Sequence, residues 1–319
     1  MKLLSYEAAM LKQLALPTRQ EVAQALLKAL IRHGGIIKEF GSNEAVVDEI
    51  AAECDLNEAQ RAAYLETVYR KQNRRKRSNL WHRLLFRAAD SLAKENFVTR
   101  PTQTIGLTGR REWMLTEKGF DQALALSNIS IGRKDQLATK SFEVEKVVTK
   151  LVDATPPKHY NPVDAKKKII TVSRESALRL RGFRQAVIQA YDHRCAVCGL
   201  KISSPDSIAW EVQAAHIVPN GFLGRDDVWN GIALCHLHHW SFDVGWFTLR
   251  HDFTVELSAA TASLPDDYGK IGSYDVLRSP TSSSRKITLP SKRGLQPHRA
   301  SIDWHRENVF HDNSEGTYK

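Results

Sequence analysis

Apolar residues recur at three- and four-residue intervals through most of the stretch from Ser5 to about Leu126, the spacing that lines one face of a helix. "EVAQALLKALIRHG" and "LWHRLLFRAADSLAKENFV" show it most clearly, and Gly34-Gly35 supplies a stop for the first of them. Between the two, "GSNEAVVDEIAAECDLNEAQRAAYLETVYR" predicts two further helices, with capping residues at Ser42 and near Asn57. After Phe97 the period changes. "VTRPTQTIGLTGRREWMLTEKGFDQALAL" predicts a short strand, a turn at Gly109, a second strand through Trp113-Met114-Leu115 and a closing helix.

The pattern then breaks. From about Ser127 to Val172 the chain is polar and charged, with "DATPPKHYNPVDAKKK" centred on Pro156-Pro157, which predicts a connector that is helical only in "SFEVEKVVTKLV". Apolar periodicity resumes in "SRESALRLRGFRQAVIQAYDHRCAVCG": Ser173 suits the cap of a helix, and "FRQAVIQAY" predicts a second helix that runs into a cysteine pair. "WEVQAAHIVPN" alternates as a strand ending at Pro219, with His216 at its end. Beyond Ser263 come turn-rich "SPTSSSRK", a short strand "ITLP" and the polar "SIDWHRENVF". The expectation is an α+β chain: a mainly helical domain over 1–130, a linker over 131–172, a second domain over 173–262, and an extension over 263–319 that covers that domain or pairs two subunits.

Composition narrows the picture. At 42% hydrophobic and 26% charged the 319 residues can bury ordinary cores. No apolar run approaches the roughly 20 residues that span a bilayer. "MKLLSYEAAMLKQLAL" has an early Glu7 and no small-residue cleavage site, so it reads as a helix and the expected location is the cytoplasm. A net charge of +10 favours a polyanionic partner. Six of the eight residues from Arg70 to Arg77 are basic, in "RKQNRRKRSN". By itself that is a solvated loop. Of the four cysteines, Cys54 stands alone and reads as a small core residue. Cys195, Cys198 and Cys235 fall within one region, beside histidines, and a reducing compartment points to zinc over disulfides.

Cys195-Ala-Val-Cys198-Gly199 lets two thiolates grip one metal, with the glycine permitting the tight turn. Cys235-His-Leu-His238 repeats the spacing, with thirty-six residues between the halves. Together they predict a Cys3His tetrahedral, structural Zn2+; His236 is the alternative to His238, at a poorer spacing. His239 and Asp243 remain. On a helix they share one face and can hold a second, harder ion with open coordination positions. Two adjacent histidines would then serve two different metals.

"YEAAMLKQL", "LWHRLLFRAADSLAKENFV" and "WMLTEKG" resemble the N-terminal winged-helix domain of Mrr-type restriction proteins over roughly the first third of the chain, and three helices followed by a β-hairpin is that fold's element order. From about Arg179 to Leu249, "AAHI…NGI.LC..HH..FD.G" resembles the restriction-type, zinc-knuckle subgroup of the HNH nucleases, whose ββα-metal fold is a β-hairpin, a helix and a divalent ion. The resemblance implies that His216 is the general base, that Asn230 fixes the loop and orients His216 through a hydrogen bond, and that His239, with Asp243, binds a catalytic Mg2+ or Mn2+. Many HNH nucleases carry an Asp or His ligand directly before the base; here Ala215 stands there, and Glu211 lies on the same strand face.

Beside a nuclease domain, the basic run becomes a phosphate contact for double-stranded DNA: Arg70, Lys71, Arg74, Arg75, Lys76 and Arg77, with Asn79, His82 and Arg83 of the next helix placed for base readout. The expected function is a restriction-type DNA endonuclease acting as a homodimer, since one centre cuts one strand. The alternative is a zinc-stabilised DNA-binding regulator with an inactive HNH centre, and a nuclease for RNA or branched DNA is a third, weaker option.

Overall fold

Helix α1 (Tyr6–Gln13) precedes α2 (Arg19–Arg32), which opens on a capping box between Thr18 and Glu21 and ends where Gly34 and Gly35 take positive φ. A β-carbon on Gly35 would lie 2.0 Å from the Lys140 carbonyl, so the stop is steric as well as conformational. The apolar stripes then find each other: α2 packs on α5 (Leu80–Lys94) and on α7 (Glu117–Leu126), burying Leu26, Leu30, Trp81, Leu85 and Phe120. Strands β1 (Ile36–Lys38), β4 (Val98–Thr99) and β5 (Glu112–Leu115) form an antiparallel sheet in the order β1-β5-β4. The computed structural model describes residues 6–40, 45–69, 74–165, 174–205, 207–263 and 286–310. It divides into two compact units, Met1–Glu145 and Lys146–Lys319.

Helices α3 (Ala45–Glu53) and α4 (Glu58–Ala62) follow β1, and α4 is capped by Asn57 as its spacing predicts. Ser42, the other expected cap, lies outside the described residues. Cys54 closes α3 half-buried, not in the core.

Two expectations for this unit need correction. From Arg74 onward the basic run is a strand: β2 (Tyr64–Tyr69) pairs with β3 (Arg74–Asn79) as an antiparallel ribbon, Tyr64 opposite Asn79 and Tyr69 opposite Arg74. Exposed Tyr64, buried Leu65 and exposed Glu66 show the two-residue period that overrode the helical reading of "YLETVY". Between β4 and β5 there is no tight turn. Helix α6 (Pro101–Thr108) fills the connection, with Pro101 at its first position and Gly109 as a left-handed C-cap at φ 71°.

The connector contains α8 (Phe142–Asp153), within which the second unit begins, and α9 (Arg174–Ala190) is one continuous helix where two were expected. Gly182 lies within α9 because a β-carbon there would meet Val147 of α8 at 2.3 Å; close helix packing outweighs the propensity cost of glycine. Ser173 is outside the described residues. Next come β6 (Val212–His216), β7 (Gly231–Cys235), α10 (His236–Asp243), and the hairpin β8 (Phe247–Leu249) with β9 (Val255–Leu257). "ITLP" is not a strand. Lys286 makes an isolated bridge to Thr254, Ile287 donates to the Phe253 carbonyl, and Thr288 donates instead to the Ala196 carbonyl. Helix α11 (Arg299–Asn308) packs on β8 and sends Ile302 into the same core as Phe183, Val212 and Phe247. The described part of the extension therefore covers this domain.

Candidate functional site

The site is built on the β6–β7 hairpin, whose register sets His216 opposite Gly231 and Val212 opposite Cys235. Glycine at 231 is a close-approach residue: a β-carbon would come within 2.4 Å of Val187 and 3.0 Å of Phe183, both on α9. Its absence lets α9 lie against the hairpin. Phe183 then stacks under the His216 ring, centroids 4.0 Å apart at 21°. On the other side, α10 starts directly after Cys235.

Cys195, Cys198, Cys235 and His238 converge, with their ligand atoms all within 4.8 Å of one another. Cys195 Sγ is 3.6 Å from His238 Nδ1 and Cys198 Sγ is 3.9 Å from Cys235 Sγ. A disulfide would need a sulfur separation of about 2.05 Å. Zinc bonds of about 2.3 Å to sulfur place tetrahedral vertices about 3.7 Å apart, so the spacing fits a Cys3His zinc. The thiols also crowd negative charge. Hydrogen bonds from Cys198 and Cys235 drive the Cys195 thiol down, while those with Cys195 and Cys198 drive Cys235 up. Burial would lower His238, but Cys195 and Cys198 outweigh it and raise it to about 9. Four donors so placed fit a bound cation. His236, the alternative ligand, points elsewhere: its Nδ1 donates to Glu211 at 3.1 Å.

His239 and Asp243 share a face of α10, Nε2 to Oδ2 3.4 Å. Gln213 of β6 accepts from His239 Nδ1 at 2.8 Å, which leaves the Nε2 lone pair on the Asp243 side. Burial pulls His239 down, keeping the imidazole in its ligating neutral form, and pushes Asp243 up. Two such donors suit an ion that completes its shell with water and phosphate oxygens. Ala215, where many HNH nucleases carry a ligand, is fully buried. Glu211 does not replace it: it accepts from the His236 backbone at 3.0 Å and caps α10.

Asn230 is fully buried and holds the loop that follows His216. Its Oδ1 accepts from Val218 N at 2.8 Å, and its Nδ2 donates to the Val218 and Arg225 carbonyls at 3.1 and 3.0 Å. The expected hydrogen bond from Asn230 to His216 is not formed, because all of its polar atoms are taken by backbone. His216 Nε2 instead faces Asp226 Oδ1 at 3.0 Å. Asp226 and Gln213 are the two residues that sequence reasoning missed. Asp226 had a signal, two adjacent acids in the short span between "HIVP" and "NG"; Gln213 had none.

In the N-terminal unit, Arg75, Lys76 and Arg77 are exposed along β3, and Arg77 lies 4.2 Å over the Tyr64 ring. Arg74 opens the strand; Arg70 and Lys71 lie outside the described residues. Two of the three positions expected to read bases have side-chain partners within the fold. Asn79 caps α5, accepting from His82 N at 3.0 Å and donating to the Arg61 carbonyl at 2.6 Å. Arg83 is paired with Glu7 at 2.8 Å, and burial lowers His82. His82 and Arg83 still line a groove of about 640 Å³ together with Lys76 and Phe86.

Residues 195–250 match the family model described as HNH endonuclease, so the hairpin, the cysteine cluster and α10 form an HNH endonuclease domain. Among solved structures the chain is similar to one described as a modification dependent TagI restriction endonuclease, at 23% identity and a TM-score of 0.28, over 42% of this chain and 39% of that one. The match thus spans well under half of that protein's length. No curated protein matches the chain. Among the described residues no helix is long and apolar enough to cross a membrane.

Proposed function

We propose that this chain is a restriction-type endonuclease that hydrolyses phosphodiester bonds in double-stranded DNA. The observation that carries the reading is the placement of His216: an imidazole at the end of a strand, stacked on Phe183, beside the helix that offers His239 and Asp243. His216 takes a proton from the attacking water as the water oxygen bonds to phosphorus, and the bond to the 3′ oxygen breaks; that oxygen takes a proton from solvent water, leaving a 5′ phosphate and a 3′ hydroxyl. Mg2+ or Mn2+ at His239 and Asp243, when bound, would neutralise charge on the scissile phosphate. Zn2+ at the Cys3His cluster has no part in the chemistry and fixes the start of α10.

Selection of DNA is assigned to the N-terminal unit. The order α2-β1-α3-α5-β4-β5, with β1 pairing β5, supports a winged-helix reading in which α6 occupies the wing. The cations of β3 supply sequence-independent, salt-sensitive contact with phosphates, and a two-stranded ribbon fits a major groove. Cutting both strands calls for two chains, and a homodimer meets that need.

The test is cleavage of supercoiled plasmid, with and without modified bases, in Mg2+ or Mn2+. His216→Ala should lower the rate on the order of 10²- to 10⁴-fold with zinc content unchanged. Normal cutting by that variant would sink the assignment of the base. No cutting by the wild-type chain on any DNA would favour a zinc-stabilised DNA-binding regulator.

A further inference from the structure

One buried acid beside His216 has no part in the reaction as written. Asp226 lies in the loop between β6 and β7, with its side chain only 3% exposed. Its Oδ1 is 3.0 Å from His216 Nε2, and its Oδ2 accepts from Arg179 Nε at 2.8 Å. The loop that carries it is held from both sides. Asn230 pins the preceding carbonyl, that of Arg225. A β-carbon on Gly224 would sit 1.8 Å from the Val218 carbonyl oxygen, so the loop closes on itself without a side chain at that point. Arg179 of α9 sets a guanidinium against this buried carboxylate.

We infer that Asp226 is a positioning residue for His216, an inference that rests on the reading of His216 as the base. An ionised carboxylate at Nε2 accepts the ring proton there, so the Nδ1 lone pair is left to take the proton of the water. It also holds the ring flat on Phe183 and favours the imidazolium formed in the transition state. The same chain of three groups explains Arg179: its Nε fixes the rotamer of Asp226, which in turn fixes the tautomer of His216.

The experiment uses the zinc-loaded full chain with 15N-labelled histidine. Long-range proton–nitrogen correlation spectra at alkaline pH should show His216 protonated at Nε2 in the wild type. In Asp226→Asn, Nδ1 should gain proton occupancy, and kcat should fall on the order of 10²- to 10⁴-fold with KM little changed. Because Asp226 acts through His216, the double variant His216→Ala/Asp226→Asn should cut no more slowly than His216→Ala alone. Arg179→Gln leaves the carboxylate in place and should give a smaller loss of the same kind, about tenfold, which keeps the test alive if Asp226→Asn folds poorly. A wild-type His216 protonated at Nδ1, an unchanged tautomer in Asp226→Asn, or a double variant slower than His216→Ala would each overturn the inference. A wild-type chain that cuts nothing would remove the nuclease reading, while the spectra would still decide whether Asp226 sets the tautomer.

Discussion

Helices α2 and α5 of the N-terminal unit bury seven residues each, all of them apolar. Helix α10 of the HNH domain buries three, His238, Ser241 and Phe242, and only one is apolar. The first two helices are held by area removed from water. Eight residues are too few for a helix to stand alone in water, and α10 has no apolar stripe to compensate. Cys235 and His238 at its first turn, with Glu211 on its leading backbone amide, do what apolar burial does elsewhere. The helix that carries His238, His239 and Asp243 thus has far less hydrophobic support than α2 or α5.

The largest way to break that comparison is to remove the metal. Structural zinc is worth about 10–16 kcal/mol in small zinc domains, so chelation or Cys235→Ser should abolish amide protection in α10 and the β6–β7 hairpin while leaving α2 and α5 protected. Hydrogen exchange reads both at once, and joint loss would show that the two units do not differ in this way. The converse substitution is Trp81→Ala. Trp81 is 2% exposed and donates to the Val47 carbonyl at 3.3 Å. Its loss should cost about 3–5 kcal/mol in denaturant unfolding of the N-terminal unit, with zinc content unchanged.

The smallest effect sharpens the contrast within the C-terminal unit. His305 of α11 is buried between Phe242 and Thr248, accepting from the Thr248 hydroxyl at Nδ1 and donating to the Phe242 carbonyl at Nε2. Both nitrogens are thus used by the neutral ring. Burial, outweighing the Phe242 carbonyl, lowers its pKa from 6.5 to about 4. The unfolded chain therefore binds the proton first as pH falls, so stability is fully present above 6.5 and declines between 6.5 and about 4. The loss is about 3 kcal/mol, read as a drop in the urea midpoint of the C-terminal unit. His305→Gln should flatten that slope; an unchanged slope would assign it to other groups.

Much of the HNH domain was legible because its ligands are local pairs. Cys195 and Cys198, then Cys235 and His238, each announce a knuckle by spacing alone, and His216 sits at a strand end marked by Pro219. Asp226 was harder to see, since its partner His216 is brought to it by a loop whose path depends on Asn230 and Gly224. The N-terminal helices were legible from period. The ribbon was not, because charged Arg74–Arg77 carries no apolar alternation and only the opposing strand, around Leu65, shows a buried face. Helix α6 was missed because Pro101 and Gly109 read as turn punctuation when they are the two caps of one helix.

The adjacency of His238 and His239 has an evolutionary consequence. Each residue added to an α-helix rotates everything after it by about 100°. An insertion between the two histidines would leave the zinc cluster whole and swing His239 and Asp243 off the face they share with Gln213. Substitutions elsewhere in α10 leave that phase intact, but a change in length does not. Side chains around this turn can therefore change singly, while any change in the count of residues from Cys235 to Asp243 undoes the division between the two histidines.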